Sequence, residues 1–134
     1  MLLNGPVPLT VFVAEDNQPA LESLVELLSV QEAVQVVGTA SSELDAMNWL
    51  VSHPGPWDVM ITDLLLLPGG SGFGLVRHAK SLQAFANVVV FSEFVTPAVA
   101  ERCVKLGADA VFLKSELQLL FDYLRQLATQ QPKP

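Results

Sequence analysis

Five residues stand where short apolar runs give way to polar stretches. Glu15 and Asp16 follow "LTVFVA", Asp63 follows "DVMIT", Ser92 closes "NVVVFS" and Lys114 closes "AVFLK". Three carboxylates gathered at one place repel one another, and each raises its neighbours' pKa unless a cation intervenes. A hard divalent ion with oxygen ligands relieves that repulsion. Mg2+ suits a site with few carboxylates, retained waters and a phosphoryl oxygen. Such an ion would neutralise charge during phosphoryl transfer while an aspartate acts as nucleophile. In that chemistry Lys114 pairs with Asp63 at rest and with a phosphoryl oxygen afterwards, and Ser92 offers its hydroxyl to another such oxygen.

The elements that must position these residues alternate along the chain. The runs "LTVFVA" (9–14), "VQVVGT" (34–39), "DVMIT" (58–62), "NVVVFS" (87–92) and "AVFLK" (110–114) are too short for helices and rich in Val, Ile or Phe, which predicts strands. Their hydrophobicity is continuous, as in a parallel sheet buried on both faces. Helical spacing fills the gaps. Leu21, Leu24, Val25 and Leu28 predict one inner face, and Leu44, Met47 and Val51 a second. Leu75, Val76, Ala79 and Leu82 predict a third. A fourth helix starts at Thr96-Pro97, runs through Val99 and Cys103, and stops at Gly107. A fifth begins at Ser115, with Gln118 completing a capping box and Leu117, Leu120, Phe121 and Leu124 facing inward. Five strands alternating with five helices predict right-handed βαβ units and an open parallel sheet covered on both sides. In such sheets function sits beyond the carboxyl ends of the strands, where strand order reverses. The five residues fall at those ends.

Bulk properties narrow the classes. A chain of 134 residues suits one domain, expected over residues 1–134 with its core at about 9–128 and with 129–134 as a tail or the start of a linker. Apolar residues at 51% and charged residues at 16% exclude a disordered chain as the main reading. A net charge of −7 argues against direct nucleic-acid binding. Cys103 is the single cysteine, so no disulfide forms within the chain, and a reduced, cytoplasmic location is expected. Pro68, Gly69 and Gly70 interrupt the greasiest stretch, so no membrane span is expected. The start "MLLNGPVPLT" lacks the basic end and long apolar core of a signal peptide.

Taken in order, "VFVAEDN" (11–17), "DVMITDLLL" (58–66), "VVVFSE" (88–93) and "GADAVFLKS" (107–115) resemble the receiver domain of two-component response regulators, over roughly residues 9 to 128. The resemblance implies a flavodoxin-like α/β fold, a single doubly wound five-stranded parallel sheet of order 2-1-3-4-5 flanked by five helices. It implies that Asp63 is the phosphoacceptor of a phosphorelay. Asp16 would bind Mg2+ directly, Glu15 partly through water, and the Leu65 backbone carbonyl would be a further ligand. Ser92 and Lys114 would engage the phosphoryl group. A histidine kinase or phosphotransfer protein would supply that group, and the last two helices would carry the altered partner binding, with homodimerisation through helices 4 and 5. Such a domain is a regulatory phosphoacceptor, not an enzyme, and binds no organic cofactor.

The chain departs from the family pattern at four places. Pro68 stands five residues after Asp63 where the family has proline four after, so "LLLLPGGSG" (64–72) carries an extra residue. Glu93 replaces the usual small residue after Ser92. Val111 stands where the family has Tyr or Phe, and Phe112 points to the opposite face. Ser115 replaces the proline after the lysine, which predicts a trans bond or local strain. Glu93, Val111 and the longer loop after Asp63 motivate an alternative: a pseudo-receiver acting as a phosphorylation-independent interaction module. A phosphohydrolase with an aspartate nucleophile would have an acid at the position of Leu65. His53 and His78 lack partner spacing for a site, and Asp45, Asp58 and Glu101 read as solvated acids. Trp49 and Trp57 read as covering the core edge near the second helix, Cys103 as packing, and "GGSGFG" (69–74) as a flexible connection.

Overall fold

The computed structural model describes residues 7–66 and 70–130. The β-branched runs form strands β1 (Leu9–Ala14), β2 (Val34–Ala40) and β3 (Val59–Thr62). Beyond β3 come two short strands, β4 (Leu65–Leu66) and β5 (Gly70–Ser71), then β6 (Asn87–Ser92) and β7 (Ala110–Leu113). The helices are α1 (Gln18–Ser29), α2 (Glu43–Ser52), α3 (Gly72–Leu82), α4 (Pro97–Leu106) and α5 (Leu117–Gln130), with a 3-10 turn at Lys114–Glu116. The main sheet runs β2-β1-β3-β6-β7 with every pair parallel. Counting its own five strands, that is the order 2-1-3-4-5. The chain steps from β1 to β2 on one side and returns to β3 on the other, so strand order reverses between β1 and β3.

Both faces of the inner strands β1, β3 and β6 are covered, which explains their unbroken apolar runs, whereas the edge strand β2 exposes Gln35, Val37 and Thr39 and is not buried on both faces. Along β1, Phe12 and Ala14 join Ala46, Leu50, Leu75, Val76 and Cys103 beneath α2, α3 and α4. Val11 and Val13 join Leu21, Leu24, Leu28, Leu120 and Leu124 beneath α1 and α5. The same alternation places Val111 against the first cluster and Phe112 against the second, where its ring meets Tyr123 edge-on at 5.6 Å. Helix ends follow their caps: the Asn17, Ser42 and Thr96 side chains accept from Ala20, Asp45 and Val99 N–H, and Gly107 closes α4 at φ 116°.

Several local expectations change. In α2 the buried residues are Ala46 and Leu50, Met47 is only partly buried, and Leu44 and Val51 are exposed. Two stripes of this short helix satisfy helical spacing, and the one with the small Ala46 packs against the sheet. Leu82, in the last turn of α3, is also exposed. The Ser115–Gln118 capping box is replaced: Glu116 accepts from the Leu113 N–H (2.8 Å), and Gln118 donates to Asp122 (3.0 Å). The last strand ends at Leu113, leaving Lys114 on the 3-10 turn. The Lys114–Ser115 bond is trans; among the described residues the cis bond is Gly55–Pro56. Trp49 stacks between Phe12 (4.1 Å) and His53 (4.2 Å), and Trp57 meets its edge at 6.4 Å. Asp58 is an anchor: its Oδ2 accepts from Thr10 N (2.8 Å) and Oγ1 (3.2 Å), tying the start of β3 to β1. No helix among the described residues is long and apolar enough to cross a membrane.

Candidate functional site

Parallel pairing brings Asp63 and the Glu15–Asp16 pair together at the crevice where strand order reverses. The β1–β3 ladder ends at Ala14 and Thr62, and the Asp63 N–H donates to the Ala14 carbonyl (3.1 Å). The next residues of each strand, Glu15 and Asp63, therefore emerge side by side. Next to β3, β6 delivers Ser92, whose hydroxyl donates to Asp63 Oδ1 (2.8 Å). From the edge strand β7 and its 3-10 turn comes Lys114. Its ammonium bridges Glu15 Oε1 and Asp63 Oδ2, the latter at 3.0 Å. Residues 99 apart in sequence thus form an ion pair that no local pattern encodes.

The Asp63 carboxylate is held on several sides. Besides Ser92, its Oδ1 accepts from the Leu64 N–H (2.6 Å), and Thr62 Oγ1 donates to its backbone carbonyl (2.8 Å). Glu15 Oε2 accepts from the Asn17 N–H (3.1 Å). Oxygens of Glu15, Asp16 and Asp63 all lie within 4.8 Å of one another. Glu15 and Asp63 are buried, and Asp16 and Lys114 are half-buried. Lys114 thus bridges two buried carboxylates, with a third beside them. Three clustered acids, and a donor set made only of hard oxygens, fit a small divalent cation and fit no soft metal. His53 and His78 stand outside this acidic group.

Electrostatics separates the two buried acids. Burial pushes Glu15 up, and the Lys114 and Asn17 hydrogen bonds do not fully offset it, so its carboxyl sits above the ordinary value. Burial also pushes Asp63 up. There Lys114, the Ser92 hydroxyl and the Leu64 N–H outweigh it and hold the carboxyl below the ordinary value. Burial disfavours the Lys114 ammonium, but hydrogen bonds to Glu15 and Asp63 overcome that and raise its pKa. At neutral pH Asp63 is an anion with a cation beside it.

The glycine-rich stretch after Asp63 is built into the site, not loosely strung beside it. Pro68 and Gly69 lie outside the described residues, but β4 and β5 flank them as an antiparallel hairpin pairing Leu65 with Ser71 and Leu66 with Gly70. A Cβ on Gly72 would overlap the Asp63 carbonyl oxygen and lie 2.7 Å from Leu64 Cα, so only glycine lets α3 begin this close to Asp63. Glu43, at the start of α2, accepts from the Ser71 N–H (3.2 Å). Sequence reasoning missed Gly72 and Glu43. The available signal was a Gly-Ser-Gly beginning seven residues after a strand-end acid, with an acid following a Ser cap elsewhere. Glu93 and Phe94 are exposed beyond Ser92.

A doubly wound parallel sheet, with an acidic crevice and a lysine where strand order reverses, defines an α/β domain of flavodoxin-like architecture. The sequence pattern of the response regulator receiver domain matches residues 11–125, and the chain belongs to that family. It is similar to YvfU, an uncharacterized transcriptional regulatory protein of Bacillus subtilis (strain 168), at 30% identity over 117 residues, 87% of this chain and 57% of that protein. It is 27% identical over 106 residues to the transcriptional regulatory protein DesR of the same organism, covering 79% of this chain and 51% of DesR. The chain spans about half the length of these relatives. In fold it is similar to the response regulator domain of Thermotoga maritima CheB. The TM-score is 0.80 at 19% identity, over 94% of this chain and all of that domain.

Proposed function

We propose that Asp63 accepts a phosphoryl group from a histidine kinase or phosphotransfer protein, in a Mg2+-dependent reaction that alters partner binding through α4 and α5. The observation that carries this reading is the pairing of a buried aspartate with Lys114 and Ser92 inside a cluster of three acids. Asp16 and Asp63 would hold the ion directly, Glu15 partly through water, and the Leu65 backbone carbonyl would add a ligand. When bound, the ion supplies charge neutralisation for the acids and for phosphoryl oxygens.

The protein's own residues account for the remaining steps. A carboxylate oxygen of Asp63 attacks phosphorus, an acyl phosphate bond forms, and the donor's P–N bond breaks with its electron pair leaving on the imidazole. Lys114 lies where its ammonium can leave the Asp63 carboxylate for a phosphoryl oxygen. The Ser92 hydroxyl, now donating to Asp63, can turn to another. Exposed Val104 on α4 and Leu119 on α5 offer apolar contact for a partner or a second copy. The domain acts as a single unit in a reducing, cytoplasmic setting and turns over no free substrate. With a net charge of −7 it makes no direct nucleic-acid contact; DNA binding by a longer protein would lie in another part.

Intact-mass analysis after incubation with Mg2+ and acetyl phosphate tests the reading. One added phosphoryl group is expected on the wild type and none on Asp63→Asn; an unlabelled wild type, where a standard receiver reacts, overturns it. A second reading, the pseudo-receiver, is favoured by exposed Glu93 beside Ser92 and by Val111 in the aromatic position. It expects Asp63→Asn to leave partner binding unchanged.

A further inference from the structure

Glu43 lies outside the acid cluster, yet it is tied to the loop that follows Asp63. Its Oε1 accepts from the Ser71 N–H at 3.2 Å. Two glycines make room for it. A Cβ on Gly70 would lie 2.5 Å from the Leu66 carbonyl oxygen and 2.8 Å from Glu43 Cβ, and one on Gly74 would lie 3.1 Å from Glu43 Oε2. Ser71 in turn accepts at its hydroxyl from the Phe73 N–H (3.1 Å), so the same residue caps α3. The stretch 70–74 is therefore a seat for a carboxylate.

Ser71 faces Leu65 across the β4–β5 hairpin. The Gly72 N–H donates to the Leu64 carbonyl at 2.9 Å, one residue outside that pair on each strand. Leu65 and Ser71 are thus a non-hydrogen-bonded antiparallel pair, and the ladder does not consume the Leu65 carbonyl. A hairpin with two residues per strand holds no register alone. The tether from α2 supplies what the ladder lacks.

We propose that Glu43 is the positioning residue of the acceptor loop: by holding the Ser71 N–H it keeps the β4–β5 hairpin in the register that presents the Leu65 carbonyl as a metal ligand. This rests on the Mg2+ site proposed above and extends it from the ligands to the residue that orients one of them. Partners that orient metal ligands from behind matter for affinity by about 10-fold or more when removed.

The experiment is calorimetric titration of MgCl2 into the full chain at about 0.15 M salt, where long-range charge effects are screened. The proteins are wild type, Asp16→Ala, Glu43→Ala, Glu43→Gln and Glu43→Asp, each with a metal-free melting curve. Glu43→Ala is expected to bind Mg2+ about tenfold more weakly. Glu43→Gln keeps the Oε1 acceptor and is expected to stay close to wild type. Glu43→Asp keeps the charge but withdraws it from Ser71, so it should weaken binding, and it serves if Glu43→Ala does not fold. Wild-type affinity in Glu43→Asp overturns the proposal. So does a Glu43→Gln as weak as the alanine variant, which would trace the effect to charge. If the wild type binds no Mg2+, or Asp16→Ala binds as the wild type does, the metal site itself fails and this proposal with it.

Discussion

Two lysines in this domain pair with carboxylates, one at an exposed aspartate and one at two buried acids, and they do different work. Lys80, in α3, pairs with Asp109 at 2.8 Å and donates to the Ala86 carbonyl at 2.8 Å. Asp109 accepts from the Val88 N–H (2.8 Å). One charge meets one charge, and the remaining valences go to backbone, which fastens α3 to the starts of β6 and β7. Lys114 faces Glu15 and Asp63 with Asp16 beside them. There one ammonium bridges two buried carboxylates inside a cluster of three. The isolated pair is a fastening; the clustered one offers hard oxygens to a cation. The clustering of acids, more than the presence of an ion pair, separates structure from candidate function.

Each cluster also leans on a glycine, and the largest expected effect breaks that symmetry. A methyl at Gly72 would strike the Asp63 and Leu64 backbone, which cannot move aside. Gly72→Ala should lose about 3 kcal/mol of unfolding free energy by urea denaturation. A methyl at Gly107 meets the flexible Lys80 stem at 2.7 Å, but φ is 116°, so Gly107→Ala should lose about 1–2 kcal/mol. Equal losses would remove the distinction between a site closed by backbone and one closed by a side chain.

Replacing the lysines sharpens the contrast. Without metal, Lys114→Met leaves two buried acids uncompensated and should cost about 2 kcal/mol. Lys80→Met, whose pair is more open to water, should cost about 1 kcal/mol. Added Mg2+ should raise the melting temperature of Lys114→Met more than that of the wild type, because the ion no longer meets a competing cation. The gain in Lys80→Met should match the wild type. A larger Mg2+ gain in Lys80→Met than in Lys114→Met would reverse the assignment of the two clusters.

The smallest effect lies inside the acid cluster, where two neighbours titrate with opposite signs in the metal-free protein. Glu15 is raised in the fold, so its contribution is present below the ordinary value of 4.5 and is lost as pH rises through the folded value. Glu15→Gln should therefore gain on the wild type as pH rises. Asp63 is lowered, so its contribution is present above the ordinary 3.8 and is lost as pH falls through the folded value. Asp63→Asn should therefore cost most at neutral pH and least in acid. Stability curves of both variants across pH 3 to 7 should slope in these opposite directions relative to the wild type.

The alternation of apolar runs and helical spacing made the α/β class legible, because residues buried on both faces of a parallel sheet cannot alternate with polar ones. It also singled out Glu15, Asp16, Asp63, Ser92 and Lys114, since a polar residue ending such a run must fall at a strand end. Even the opposed faces of Val111 and Phe112 followed from the period of two. The inner face of α2 was not legible: Leu44 and Met47 satisfy the spacing as well as Ala46 and Leu50 do.

By itself, then, the sequence determined which segments become the five strands of the main sheet and the five helices, and which side chains wait at their ends, because periodicity and caps act over a few residues; the short β4–β5 hairpin was not legible. Only the tertiary structure decided that Lys114 meets Glu15 and that Ser92 meets Asp63. It alone tied Glu43 to Ser71 and set Gly72 against the Asp63 backbone. Those contacts depend on which strands lie side by side and how closely a helix approaches a loop. Such long-range choices are settled by burying both sheet faces at once, and no local window of the chain records them.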